Sequence, residues 1–274
     1  MAESVQIGLM QATEIARQSD LRQSSNGMHY TAFGENNLES ADLDRIVQAV
    51  PATIAAALGQ KAYYFVPLAL IERPVDETQS ATTPGPEQAS IPSQLEETLI
   101  ATTYTTEFSD RAICHRNVRL GGIDGVFIST RLLADRFALA FEFFINVGHA
   151  FVEIAGIPDS FSELVWKQAL ADTRGETSQD AWESRALALN KDEKNGGKHR
   201  VDEKAKFDFL EAAFSDAVAI YQLSLAIDFD YAELRERDYP LLAPQALADR
   251  LRLVAKLFPP NAGYEFAVRY RRRR

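Results

Sequence analysis

Glu142, Asn146, His149 and Glu153 follow one another at intervals of four, three and four residues, inside a stretch (137–154) that is otherwise almost wholly apolar. At about 100° per residue a helix gathers these four on a strip about 60° wide, and Asp135 extends it one turn back. Carboxylates beside an imidazole can hold a metal ion or move protons. The remainder of the cylinder is greasy, whereas an ordinary surface helix shows a much broader polar face, so this helix is expected to be nearly surrounded by protein. Residues 203–228 repeat the pattern: Asp208, Glu211, Ser215 and Gln222 share a strip flanked by Phe207, Phe209, Leu210, Phe214 and Val218, with Asp216 about a quarter-turn away. Buried carboxylates without partners are costly. Two arrangements avoid that cost: a shared cleft lined by Glu142, Asn146, His149, Glu153, Asp208, Glu211 and Ser215, or two thin solvent-exposed edges, the default place for carboxylates.

A metal site can also be drawn from the four histidines, His29, His115, His149 and His199. His115 and His149 with Glu153, or with Glu142, offer two imidazoles and a carboxylate, a donor set that suits zinc. The alternative for each histidine is a hydrogen-bonded structural role. Glu142 and His149 are seven apart, which is not the Glu-x-x-His spacing of di-iron bundles. Cys114 ends the apolar run Ala112-Ile113-Cys114 and is expected to be a buried, inert thiol. As the single cysteine it allows no intrachain disulfide, which fits a reducing compartment and a cytoplasmic location. The chain carries no Gly-x-Ser-x-Gly, Walker A, Gly-x-Gly-x-x-Gly or Cys-x-x-Cys pattern. Gly121-Gly122-Ile123-Asp124 lacks a following Lys-Ser/Thr for phosphate and reads as a hairpin turn.

The elements that must position these residues follow from pattern and punctuation. Residues 1–35 form a polar N-terminal segment with a turn at Ser24-Ser25-Asn26-Gly27. Residues 42–58 have helical periodicity, and 62–71, rich in aromatic and branched residues, read as a strand in which Pro67 implies an edge or a bulge. Extended segments follow at 99–106, 112–120 and 125–130. A helix capped by Ser129 or Thr130 then runs to about residue 155, and Ser160-Phe161-Ser162-Glu163 forms a capping box for the next. Further helices are expected over 179–189, 203–228 and from Pro244 to about 258. Residues 75–93 and 191–200 read as loops, and 261–274 as a basic tail ending in Arg271-Arg272-Arg273-Arg274. Strands followed by helices predict an α+β fold: a small mixed sheet of about four strands, then a mainly helical half. We expect one domain over 36–260, with a helix-and-sheet lobe (36–130) and a helical lobe (131–260).

With 274 residues, 46% of them hydrophobic and 25% charged, the chain can bury a substantial core. A net charge of −10 disfavours nucleic acid as the main partner, since phosphate binding needs a positive footprint. No run approaches about 18 uninterrupted apolar residues, so no membrane span is expected.

The segment Ile145-Asn146-Val147-Gly148-His149-Ala150-Phe151 resembles the active-site helix of the zincin metallopeptidases, which carries His-Glu-x-x-His and commonly ends Gly-His-Ala/Ser. Only the second histidine, His149, is retained. Ile145 stands at the first zinc ligand and Asn146 at the general-base glutamate. Residues 210–219 look like the family's Glu-Ala-Phe-x-Asp helix that supplies a third ligand, with one additional alanine that puts Glu211 out of register. In element order the resemblance spans roughly residues 60–225. It implies a zincin-like layout without peptidase chemistry, because isoleucine cannot ligate a metal and asparagine has no titratable proton. The implied function is a catalytically degenerate scaffold binding a peptide or protein partner. The alternatives are a metal-dependent hydrolase with a rearranged zinc site, and a plain interaction protein unrelated to peptidases.

Overall fold

The computed structural model of the chain describes residues 8–36, 38–71, 98–189, 201–234 and 239–269. The expected loops at 75–93 and 191–200, and the last five residues of the basic tail, lie outside these. In chain order the elements are β1 (Leu9–Gln11), α1 (Ala12–Gln18), β2 (Arg22–Gln23), β3 (His29–Ala32), α2 (Ser40–Gln48), α3 (Ala52–Ala57), β4 (Lys61–Val66), β5 (Leu68–Leu70), β6 (Leu99–Ala101), β7 (Ala112–Ile113), β8 (His115–Leu120), β9 (Ile123–Ser129), α4 (Arg136–Ala155), α5 (Asp159–Leu170), α6 (Gln179–Ala188), α7 (Glu203–Ala226) and α8 (Pro244–Leu257). Strands precede most of the helices, and the fold is α+β. The chain divides into two units: Met1–Arg22, Tyr30–Leu38 and Gln60–Ala134 in the first, and Gln23–His29, Glu39–Gly59 and Asp135–Arg274 in the second.

Instead of one sheet of about four strands there are two, a four-stranded sheet ordered β1-β6-β5-β7 and a five-stranded sheet ordered β2-β3-β4-β9-β8. The cause is a pair of places where the chain leaves one sheet for the other. Pro67 has no N–H for a ladder, so the aromatic run expected as one strand stops there. β4 stays in the larger sheet, parallel to β9 from Lys61↔Asp124 to Val66↔Ser129, while β5 pairs antiparallel with β6 and β7. Pro67 thus marks a change of sheet, and β4 is a central strand, not an edge. The second place is Cys114, where the segment expected as one strand splits into β7 and β8. The corner turns Cys114 outward, so the thiol expected to be buried is exposed. The Ser129 hydroxyl ties both corners, accepting from Ala69 N–H at 2.7 Å and donating to the Ile113 carbonyl.

The glycine pair behaves as expected: β8 and β9 form an antiparallel hairpin from His115↔Ile128 to Leu120↔Ile123. The extended reading of 99–106 holds only for β6, after which Thr106–Arg111 forms a 3-10 turn. The first unit's core gathers Ala62, Tyr64 and Val66 of β4 with Phe127, Ala69, Ile100 and, from α1, Ala12 and Ile15. Tyr64 and Phe127, opposite one another in the ladder, stack with ring centroids 4.6 Å apart. The N-terminal stretch, whose polarity hides its role, supplies β1 and α1 to this unit.

In the second unit Pro51 divides the helix expected over 42–58 into α2 and α3, because it has no N–H for the ladder. α4 starts later than its expected cap: Asp135 accepts the Phe137 N–H at 2.9 Å, whereas Ser129 is committed to the sheets. α5 begins at Asp159, directly after Pro158, which leaves the Ser160–Glu163 pattern inside the helix rather than at its cap. Ser178 caps α6 through Ala181 N–H, and Asp202 caps α7 through Ala205 N–H. In the core of this unit Phe214 meets Phe151, Phe161 and the half-buried Phe258 at centroid distances of 6.5, 4.7 and 6.3 Å. α4 is the one described helix long and apolar enough to cross a membrane, and 56% of that stretch is buried inside the protein.

Candidate functional site

α4 and α7, which carry the two polar strips, pack along much of their length. Their contacts run in opposite order: Phe137 meets Phe229, just past the end of α7, and Phe151 meets Phe214, so the helices are antiparallel. Between these contacts the two backbones approach closely. A Cβ built on Gly148 would sit 2.7 Å from the Ser215 carbonyl oxygen. Glycine in a helix interior costs about 1 kcal/mol relative to alanine, and here the loss is offset by a crossing no side chain would permit. Gly148→Val is expected to force the helices apart and to lower stability by about 1–3 kcal/mol, as overpacked cores do. A shift in denaturation midpoint of the opposite sign would refute this.

Exposure separates the candidate residues. On α4, Asn146 is buried at 8% exposure and Glu142 is half-buried, while His149 and Glu153 are exposed. Ile145, at the position of the first zinc ligand in the resemblance, is half-buried. On α7, Asp208 is exposed, Glu211 half-buried, and Ser215 and Gln222 buried. The α7 strip therefore runs from solvent into the interior as the helix proceeds, and the α4 strip runs the other way, reaching solvent only at His149 and Glu153. Asn146 is turned back on its own helix: Nδ2 donates to the Glu142 carbonyl at 2.9 Å and to Glu142 Oε1 at 3.1 Å. Asp216 accepts from Thr177 Oγ1 at 2.7 Å, which fixes it as a structural acceptor. Ser215 Oγ and Gln222 Oε1 are buried and have no hydrogen-bond partner among the described residues.

The described residues do not fit a zinc ion. Among the described residues no group of three or more His, Cys, Asp and Glu side chains is placed to hold a metal. His149 and Glu153 lie on α4 in the second unit, and His115 begins β8 in the first. Comparison with protein-family models and with curated proteins finds no match.

The most strongly organised polar cluster was not signalled by the strips. Glu176, wholly buried, receives Arg250 Nη1 at 2.9 Å and Nη2 at 3.4 Å, and Arg185 Nη1 at 3.0 Å. Arg250, itself wholly buried, also donates Nε to Gln168 Oε1 at 2.8 Å, and Arg185 donates to the Gly175 carbonyl at 3.0 Å and the Ala169 carbonyl at 3.5 Å. The last of these is near the C-terminal end of α5, where backbone carbonyls favour a cation. The segment holding Glu176 is pinned by Glu176 N–H to the Pro240 carbonyl and Leu242 N–H to the Glu176 carbonyl, at 3.0 and 2.9 Å. One sequence signal was available: Arg250 is three residues after Leu247 and four before Val254, on the apolar face of α8. Glu176, and Arg185 on its other side, lie at scattered positions with no periodicity to connect them to it. Every oxygen of this carboxylate is engaged, so the cluster fastens α5, α6 and α8 and leaves no group for chemistry.

Proposed function

We propose that the chain is a catalytically degenerate zincin-like scaffold, which binds a peptide or protein partner along the polar face of α4 and the exposed start of α7. The observation that supports this most directly is the state of Asn146. It occupies the general-base position of the resemblance, is buried, and spends its amide on the helix that carries it. Neither it nor Ile145 can activate a water molecule. The element order also accords with the reading: helices α2 and α3, a set of strands, α4, then α7. The exposed groups that remain, His149 and Glu153 on α4 and Asp208 on α7, are polar and mainly acidic and suit a partner with basic groups.

Dialysis against zinc, elemental analysis and a peptide-hydrolysis assay test the proposal together. The purified chain is expected to retain less than about a tenth of an equivalent of zinc and to cleave no peptide, since a catalytic zinc requires three protein ligands. Near-stoichiometric zinc, or hydrolysis lost on His149→Ala, would instead establish the rearranged hydrolase.

A further inference from the structure

β8 is the outermost strand of the five-stranded sheet, with β9 on one side and no strand on the other. None of its six residues is buried, whereas five of the seven in β9 are. The hairpin fixes which of its backbone groups look outward. Gly121-Gly122 makes a two-residue connection, so Leu120 and Ile123 form a hydrogen-bonded pair, and such pairs recur at every second residue. Two hydrogen bonds agree with this phase. Ser129 N–H donates to the Cys114 carbonyl, and Asp124 N–H, opposite Arg119, turns the other way to the Gln60 carbonyl, both at 2.9 Å. Residues 115, 117 and 119 therefore direct their N–H and C=O groups away from β9. Among the described residues, the outward backbone groups of Asn117 and Arg119 meet no partner.

An edge of this kind is a template for another strand, and the side chains beside it decide which. β8 carries His115, Arg116 and Arg119 and no acidic residue, in a chain whose net charge is −10. Its two faces differ. His115, Asn117 and Arg119 lie on one, where the Arg119 side chain is 84% exposed and 3.6 Å from Asp124 of β9. Asp124 is shared with Lys61 of β4 at 3.9 Å, which leaves this row of three charges net positive. Val118 and Leu120 lie on the opposite face, half-buried at the margin of the first unit's core. A second copy of the chain fits this edge poorly. Antiparallel pairing centred on Asn117 would set Arg119 against His115 on both sides of the axis and offer the arginine no counter-charge.

We propose that the outer edge of β8 binds an extended segment of another protein, alternately acidic and apolar, as a sixth strand of the sheet. Successive side chains of a strand point to opposite faces, so the acidic ones fall beside His115 and Arg119 and the apolar ones beside Val118 and Leu120. The backbone of the segment takes up the outward groups of Asn117 and Arg119, and the charges select it over a neutral strand. The edge lies in the first unit and owes nothing to the face on α4 and α7.

The probe is a blocked, fluorescently labelled peptide, Glu-Val-Glu-Val-Glu-Val, read by anisotropy against the full chain, with glutamine in place of glutamate as control. The glutamate peptide is expected to bind at least about tenfold tighter than the control, with a margin that narrows as salt rises. Asn117→Pro removes an outward N–H and leaves every bond to β9 in place, as proline on an edge strand can. It is expected to weaken binding at least about tenfold while the unfolding midpoint stays near that of the parent chain. Arg119→Glu is expected to cancel the preference for the glutamate peptide. No binding of the glutamate peptide, equal binding of the two peptides, or affinity indifferent to either variant would each overturn the proposal. So would a dimer of the unaltered chain that Asn117→Pro dissociates, which would assign the edge to a second copy.

Discussion

Glu176→Ala is expected to destabilise the second unit by about 3–5 kcal/mol, the usual cost of removing one partner from a buried ion pair. The reason is what remains. Two guanidinium groups, on Arg185 at 5% exposure and Arg250 at 0%, would face one another with only carbonyls and the Gln168 amide oxygen to answer them. The nearest other carboxylate is Asp172, 4.0 Å from Arg185, whose side chain is 95% exposed and therefore screened. Glu176→Gln keeps the shape and one acceptor, and is expected to recover only part of the loss. Replacing Glu176, Arg185 and Arg250 together by apolar residues of similar volume should cost less than Glu176→Ala alone, because no stranded charge is left behind. Denaturant unfolding monitored by circular dichroism and tryptophan fluorescence measures all three. A loss below about 1 kcal/mol for Glu176→Ala would place the cluster in the range of exposed ion pairs and remove its structural role.

The Ile145→His, Asn146→Glu double variant is expected to retain close to one equivalent of zinc through dialysis, against almost none for the parent chain. The substitutions rebuild two imidazoles at i and i+4, one helical turn apart, and put a carboxylate beside them. The position of Ile145 is half-buried and His149 is exposed, so both imidazoles can reach a common point without being desolvated. The third ligand would have to come from elsewhere, and Glu211, half-buried on the antiparallel α7, is the candidate the resemblance implies. Adding Glu211→Ala to the double variant should then lower zinc affinity by at least about tenfold, since a site with two protein ligands in place of three is incomplete. Zinc retention no better than that of the parent chain would count against zincin ancestry. Retention indifferent to Glu211→Ala would show that the additional alanine has moved that glutamate out of reach.

The large helices were legible because their signals are local and periodic. α7 ends within two residues of the expected limit and α8 within one, since their apolar residues recur at helical spacing and Pro244 marks the start of α8. The α4 strip was legible for the same reason, but its depth was not: periodicity says which residues share a face and is silent on what covers it. That is why Asn146 and His149, on one strip, came out buried and exposed. The two sheets were hidden because Pro67 marks a break without saying which strands pair on either side of it, and no turn residue marks the break at Cys114. Ser129 is a natural cap by residue type, because hydroxyls accept from helix N–H groups, but its hydroxyl is taken by partners in the sheets. The Glu176 cluster was invisible since its members share no spacing, only a destination.

The antiparallel pairing of β5 with β6, Leu68↔Ala101 and Ala69↔Ile100, sets the two ends of the proline- and threonine-rich connection from 72 to 97 on neighbouring strands. The span to be bridged is thus the width of one ladder rung, whatever the number of residues between. Doubling a closed connection adds only about 0.6 kcal/mol of entropy, so a longer connection between these two strands is expected to leave the sheet's stability nearly unchanged.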